Sequence, residues 1–228
     1  MVKISRSPRK RSDNFDEVTC IAPRIVKVEE TKATVEIEPE ILDAAKVMSQ
    51  FFLERYAASS EDQHYRASEE GNILFGLMAE LIFDSVLYQY DVPHVWNNPS
   101  YQKLLGKKRF DFFVPDLGCC QIKGIPPSDR YCRLLVKEKE WLKERADWII
   151  PVKVLEDRRA LLYGAMPGTD VEKLQFAEKG KRAWSRYESC WFTSLTEYAS
   201  KYSASALIAQ LERIAAACRR CQKDAKEV

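Results

Sequence analysis

The stretch from Ser68 to Tyr90 is too apolar to form a surface helix. Ile73, Leu74, Phe75, Leu77, Met78, Leu81, Ile82, Phe83, Val86 and Leu87 leave little polar surface around it, so a helix here is buried on most sides. Ser68 reads as its N-cap with Glu69 and Glu70 in the first turn, and Pro93 marks the break beyond Tyr90. Two carboxylates interrupt the apolar surface: Glu80 mid-helix, and Asp84 one turn later on the same side. A carboxylate in that setting needs a partner or a cation.

The elements around this helix can be read from their periodicity. Ile25, Val26, Val28 and then Ala33, Val35, Ile37 alternate with polar residues, which predicts two strands joined near Glu30-Thr31-Lys32. Pro39 opens a helix carrying Ile41, Ala45, Met48 and Phe52 at helical spacing through about Tyr56. Ala57 to Ala67 reads as a polar connection. Arg109–Pro115 and Cys119–Ile125 read as two strands, with Asp116-Leu117-Gly118 supplying turn chemistry between them. An amphipathic helix is expected near Leu134 to Arg145, followed by strands at Trp148–Leu155 and Ala160–Met166. Residues 167–190 give no clear pattern. A short strand at Cys190–Thr193 and a C-terminal helix over about 196–224 complete the reading, with residues 1–22 as a flexible basic tail and 23–228 as one domain.

Composition excludes several chemistries. Among 228 residues only His64 and His94 are histidines, which argues against zinc-hydrolase sites needing several imidazoles. Seven scattered cysteines without a secretory signal point to a reducing compartment rather than a disulfide framework. No apolar run approaches the roughly 20 residues of a membrane span. The expectation is therefore an intracellular, soluble protein with no membrane partner. Net charge is only +2, yet Arg6, Arg9, Lys10 and Arg11 cluster in the tail, and Lys103, Lys107, Lys108 and Arg109 lead directly into Asp111. The tail cluster reads as a solvated end.

If the turn lies at Asp116–Gly118, Asp111 comes beside Gln121–Lys123 across a hairpin. Gln121 and Lys123, two apart, then share one face of the sheet. Asp111, nine intervening residues and Gln121-Ile122-Lys123 resemble the PD-(D/E)XK motif of restriction endonucleases, Holliday-junction resolvases and recombination exonucleases. The order of a helix with Glu80, a hairpin with Asp111 and Lys123, a helix and a strand is similar to that family's core, over roughly residues 68–166. Two departures stand out. Phe110 replaces the nominal proline, and Gln121 replaces the second acidic ligand.

The resemblance implies an α/β, restriction-endonuclease-like three-layer core, with a central mixed β-sheet flanked by helices. It implies a metal-dependent nuclease hydrolysing DNA phosphodiester bonds, with RNA and a homodimeric state left open. Glu80, Asp111, Gln121 and Lys123 become the catalytic residues. Glu80, Asp111, the Gln121 side-chain oxygen and the Ile122 carbonyl become ligands to Mg²⁺ or Mn²⁺. Lys107, Lys108, Arg109, Arg130 and Arg133 become phosphate contacts. A neutral amide still offers the oxygen that Mg²⁺ prefers, but one negative charge is lost, and Glu80 with Asp84 is the expected compensation.

Two other readings stand beside this one. The same fold with a degraded site is a nucleic-acid-binding or assembly module, and a purely structural protein would pair Glu80 with Lys123. Cys218 and Cys221 form a CxxC that Cys190 or Cys20 could join, yet four ligands are normally required, so inert helix cysteines are the expectation. Trp96, Tyr101 and Trp184, the last among Lys179, Lys181, Arg182 and Arg186, are the aromatic candidates for contact with bases.

Overall fold

In the computed structural model the described residues are 24–57, 66–97, 110–129, 132–143, 145–182, 185 and 188–224. The basic tail, Lys103, Lys107, Lys108, Arg109, Arg130, Tyr101, Trp184 and Arg186 lie outside them. Strands β1 (Arg24–Val28) and β2 (Ala33–Glu36) pair antiparallel, as the alternation predicts, with an irregular register between Ile25 and Lys27. Their turn closes through the Glu29 N–H, which donates to the Lys32 carbonyl at 2.9 Å. Helix α1 (Pro39–Ala57) begins on its proline and buries Ile41 and Ala45 one turn apart.

Helix α2 (Arg66–Gln89) carries the apolar stretch. It starts two residues before the expected cap, so Ser68 lies inside the helix rather than ahead of it. Leu77, Met78, Ala79, Ile82, Phe83, Val86 and Leu87 are all buried. Neighbours so close in sequence point in all directions around a helix, which is why this one needs cover on most sides. Strand β3 (Val95–Trp96) follows and pairs with β4 (Phe112–Val114), and β4 pairs with β5 (Gly118–Ile125), all antiparallel. The hairpin turn uses left-handed backbone at Asp116 (φ 60) and Gly118 (φ 95). A side chain on Gly118 would fall 2.5 Å from the Asp147 carboxylate, so glycine is required there on both counts.

One expectation is corrected beyond the hairpin. The helix foreseen from Leu134 to Arg145 is instead strand β6 (Arg133–Lys137) followed by a short helix α3 (Glu138–Lys143). Leu134 and Val136 are buried while Leu135 and Lys137 are not. That period of two fits a strand, and helical spacing returns only from Glu138. Strands β7 (Trp148–Val154) and β8 (Arg159–Leu162) follow, then the short β9 (Met166–Pro167). The unassigned region holds a 3-10 helix over Gly168–Lys173 and strand β10 (Gln175–Ala177). Strand β11 (Cys190–Ser194) leads into helices α4 (Leu195–Lys201) and α5 (Ala204–Asp224).

The class is α/β with a mixed sheet. Its strand order is β1-β2-β8-β7-β5-β4-β3, β9 joining β7, and β5 and β7 run parallel. Ile122 of β5 and Ile150, Val152 and Val154 of β7 face one core, shared with α2 and with Leu207, Ile208, Leu211 and Ile214 of α5. Ile125 and Ile149 face a second core with Leu134, Trp141, Leu195 and Tyr198. The second face is thus covered by a small sheet, β10-β11-β6, with short helices, rather than by long helices alone. Tyr198 fastens this layer, its buried hydroxyl lying 2.9 Å from the Ile149 carbonyl and 2.8 Å from that of Gly164. No described helix is long and apolar enough to cross a membrane.

Helix α2 lies almost on the backbone of β5. A Cβ added to Gly124 would sit 2.2 Å from the Phe75 carbonyl oxygen and 2.9 Å from the Gly76 nitrogen. Main chain cannot yield as a flexible side chain would. Gly124→Ala is expected to destabilise the fold by about 1–3 kcal/mol, read as a lower urea midpoint at unchanged slope.

Candidate active site

The site is organised by the end of the β4–β5 hairpin. Phe112 pairs with Cys120, so the next pair outward is Asp111 with Gln121. There the Asp111 N–H still donates to the Cys120 carbonyl of β5 at 2.9 Å, but its carbonyl turns elsewhere. The Asp111 carbonyl accepts from the Asn97 N–H at 2.8 Å rather than from β5. Its carboxylate takes over on the β5 side: Asp111 Oδ2 accepts from the Ile122 N–H at 2.7 Å. Asp111 is only 6% exposed, and this charge-assisted bond offsets part of the cost of burying it.

Gln121 and Lys123 share the face of β5 that carries Ile125, turned away from α2. Lys123 is only partly exposed, and its ammonium lies 3.6 Å from the Glu140 carboxylate on α3. Lys137 shares that carboxylate at 2.8 Å. Burial raises the Glu140 carboxyl, but Lys123 and Lys137 outweigh it and leave it below its ordinary value. Lys123 therefore pairs with Glu140, not with Glu80 as the structural reading expects. Glu140 carries no signal of its own in the sequence, because the residues of α3 resemble an ordinary charged helix surface. Only the β5–α3 juxtaposition singles it out.

Glu80 sits on the α2 side of the sheet. It is 8% exposed, and its Oε2 accepts from the Trp96 indole N–H at 2.9 Å. Trp96 also stacks on Phe112, with rings 6.0 Å apart and 4° from parallel. Trp96 is thus a support for Glu80, which its loop-like sequence surroundings did not reveal. Asp84 is met in the same way: His94 Nε2 lies 2.8 Å from Asp84 Oδ1, and His94 Nδ1 lies 2.8 Å from the Val92 carbonyl. The partners of Asp84 and Glu80 come from alternate residues, His94 ahead of the edge strand and Trp96 within it.

Of the remaining candidates, Arg133 opens β6, where its N–H donates to Asp129 Oδ2 at 3.0 Å. Cys218 packs partly buried against the core and Cys221 is exposed. Among the described residues no group of three or more His, Cys, Asp or Glu side chains is gathered as a metal site. Asp111, Gln121 and the Ile122 carbonyl each offer oxygen, the donor a hard cation prefers. The chain matches no family model, no curated protein and no solved structure with which it was compared.

Two outcomes follow from these contacts. Asp111→Ala strands the Ile122 N–H and is expected to cost about 1–3 kcal/mol, whereas Asp111→Asn keeps an acceptor oxygen and loses less; urea denaturation of both variants measures the difference. The His94 ring is the second. Burial lowers its pKa, but bonds to Asp84 and Val92 outweigh this and leave it above 6.5. A raised histidine stabilises fully below its unfolded value and loses that contribution as pH rises through the folded one. The stability gap between the native chain and His94→Gln should narrow above pH 6.5, and proton NMR of His94 should show the raised midpoint.

Proposed function

We propose that the chain is a metal-dependent nuclease acting on DNA at the Asp111, Gln121 and Lys123 constellation, in a restriction-endonuclease-like core. The observation that supports this most is the hairpin end, where the buried Asp111 carboxylate accepts from the Ile122 N–H and the two residues flanking Ile122, Gln121 and Lys123, share the face of β5 turned away from α2. The element order, α2, the β4–β5 hairpin, then α3 and a β7 parallel to β5, is similar to that of the family the motif resembles, with strand β6 standing ahead of α3.

In this reading Asp111, the Gln121 oxygen and the Ile122 carbonyl would hold Mg²⁺ or Mn²⁺, with Glu80 behind them on the α2 side. When bound, the ion supplies an acidified water and neutralises phosphate charge. Lys123 orients the attacking water and stabilises the negative charge that grows on the phosphate oxygens. Glu140 positions the Lys123 ammonium and returns to this face the charge that Gln121 lacks. Arg133, with Lys107, Lys108, Arg109 and Arg130, is assigned to neighbouring phosphates. Water adds to phosphorus, the phosphodiester P–O bond breaks, and the leaving oxygen takes up a proton.

The Lys123–Glu140 pair also favours a second reading, a module on the same fold that holds nucleic acid without cutting, because a lysine already paired is less available to a phosphate. Incubation with duplex, branched and single-stranded DNA in Mg²⁺ or Mn²⁺ separates the two. The nuclease reading expects cleavage that falls by about a hundredfold or more in Asp111→Asn and Lys123→Met, with the fold retained. Undiminished cleavage in both variants would sink it. DNA retained at low salt and left intact in either metal would support the binding module.

A further inference from the structure

A second reactive pair lies apart from this site, where the loop after β5 meets β7. Cys132 is partly exposed, and Lys153 Nζ donates to its Sγ at 2.5 Å. The thiol in turn lies 3.5 Å from the Asp129 carbonyl. The backbone holds Cys132 in place. Its φ is 43, a left-handed conformation uncommon for a side-chain-bearing residue. Its N–H donates to the Asp129 carbonyl at 3.2 Å, and its own carbonyl accepts from the Leu195 N–H at 2.7 Å. Lys153 is equally fixed, in register with Ile125 within the parallel β5–β7 pair. A nucleophilic amine is thus kept against one particular sulfur.

We infer that Cys132 and Lys153 form an oxidative crosslinking site, in which a peroxide-derived sulfenic acid on Cys132 is captured by the Lys153 amine. Hydrogen peroxide oxidises the thiol by two electrons, giving S–OH and water. Nζ, once its ammonium proton has passed to water, attacks sulfur. An S–N bond forms, the S–O bond breaks, and the hydroxyl leaves with an amine proton as a second water. No further oxidant is needed. Sulfenic acids are known to condense with nitrogen in this manner, and thiols reverse the early rungs of cysteine oxidation.

Three of the other thiols are poorly reactive, and because Cys221 is exposed the selectivity of the crosslink rests on the Lys153 amine held against Cys132. Burial, with Asp147 nearby, holds Cys119 and Cys120 protonated, and burial with Glu188 does the same for Cys190. Protonated thiols react poorly with peroxide. The product would pin the loop that leads into β6 to the strand beside β5.

The test uses the full native chain, treated with hydrogen peroxide, digested without reductant and mapped by mass spectrometry. The expected product is a Cys132 peptide joined to a Lys153 peptide, lighter by two hydrogens than its parts and released by dithiothreitol. Lys153→Arg should lose the crosslink and gain dimedone labelling at Cys132, since arginine does not trap the sulfenic acid. Cys132 left reduced in the native chain, or carried to sulfinic acid with Lys153 still open to acetylation, would overturn the proposal. The native chain alone decides this if the variant does not fold.

Discussion

The close seating of α2 on β5 governs the rest of the architecture. At Gly124 the two backbones approach so nearly that no side chain fits between them. With Ile122 and Gly124 committed to the helix side, the period of two leaves Gln121 and Lys123 no choice but the opposite face. The same contact brings the acidic residues of α2 toward the edge of the sheet, where His94 and Trp96 meet them. Position of helix, orientation of the hairpin's polar residues and satisfaction of the buried carboxylates are therefore one geometrical fact rather than three.

Several polar groups near the hairpin end meet specific partners. The Asp111 carbonyl turns to Asn97 and its carboxylate replaces it as acceptor for β5. Trp96 links Glu80 to the aromatic stack of Phe112 and Phe83, whose rings meet edge to face at 5.3 Å. Such a network is stiff because each member has a specific acceptor or ring to lose. Side chains held in this way have little freedom to reorganise, which is the condition that the proposed electrostatic preorganisation requires.

Much of this was legible in the residues. The apolar circumference of α2 announced a buried helix, the demand of Glu80 and Asp84 for partners was evident from their setting, and Asp116-Leu117-Gly118 located the turn that puts Asp111 opposite Gln121. What stayed hidden has a common cause. Strand β6 looked helical because Leu134 and Val136 run straight into the genuine helix of Glu138–Lys143, and only pairing with β11 decides between the periods. Glu140 and Trp96 owe their roles to contacts made across elements, which local pattern does not encode. Cys132 gave no signal at all, since its partner lies on a strand that meets its loop only after folding.

The two ends of the large sheet are unlike its centre. At one end β3 has two residues, and at the other β1 is out of regular register between Ile25 and Lys27, with Arg24 and Lys27 along it. A long, flat, apolar edge would be a template on which strands of other chains could add. A very short strand and a bulged, charged one are poor templates. Among the described residues the outer strands thus limit growth of the sheet by intermolecular strand addition, a safeguard for core strands rich in isoleucine and valine.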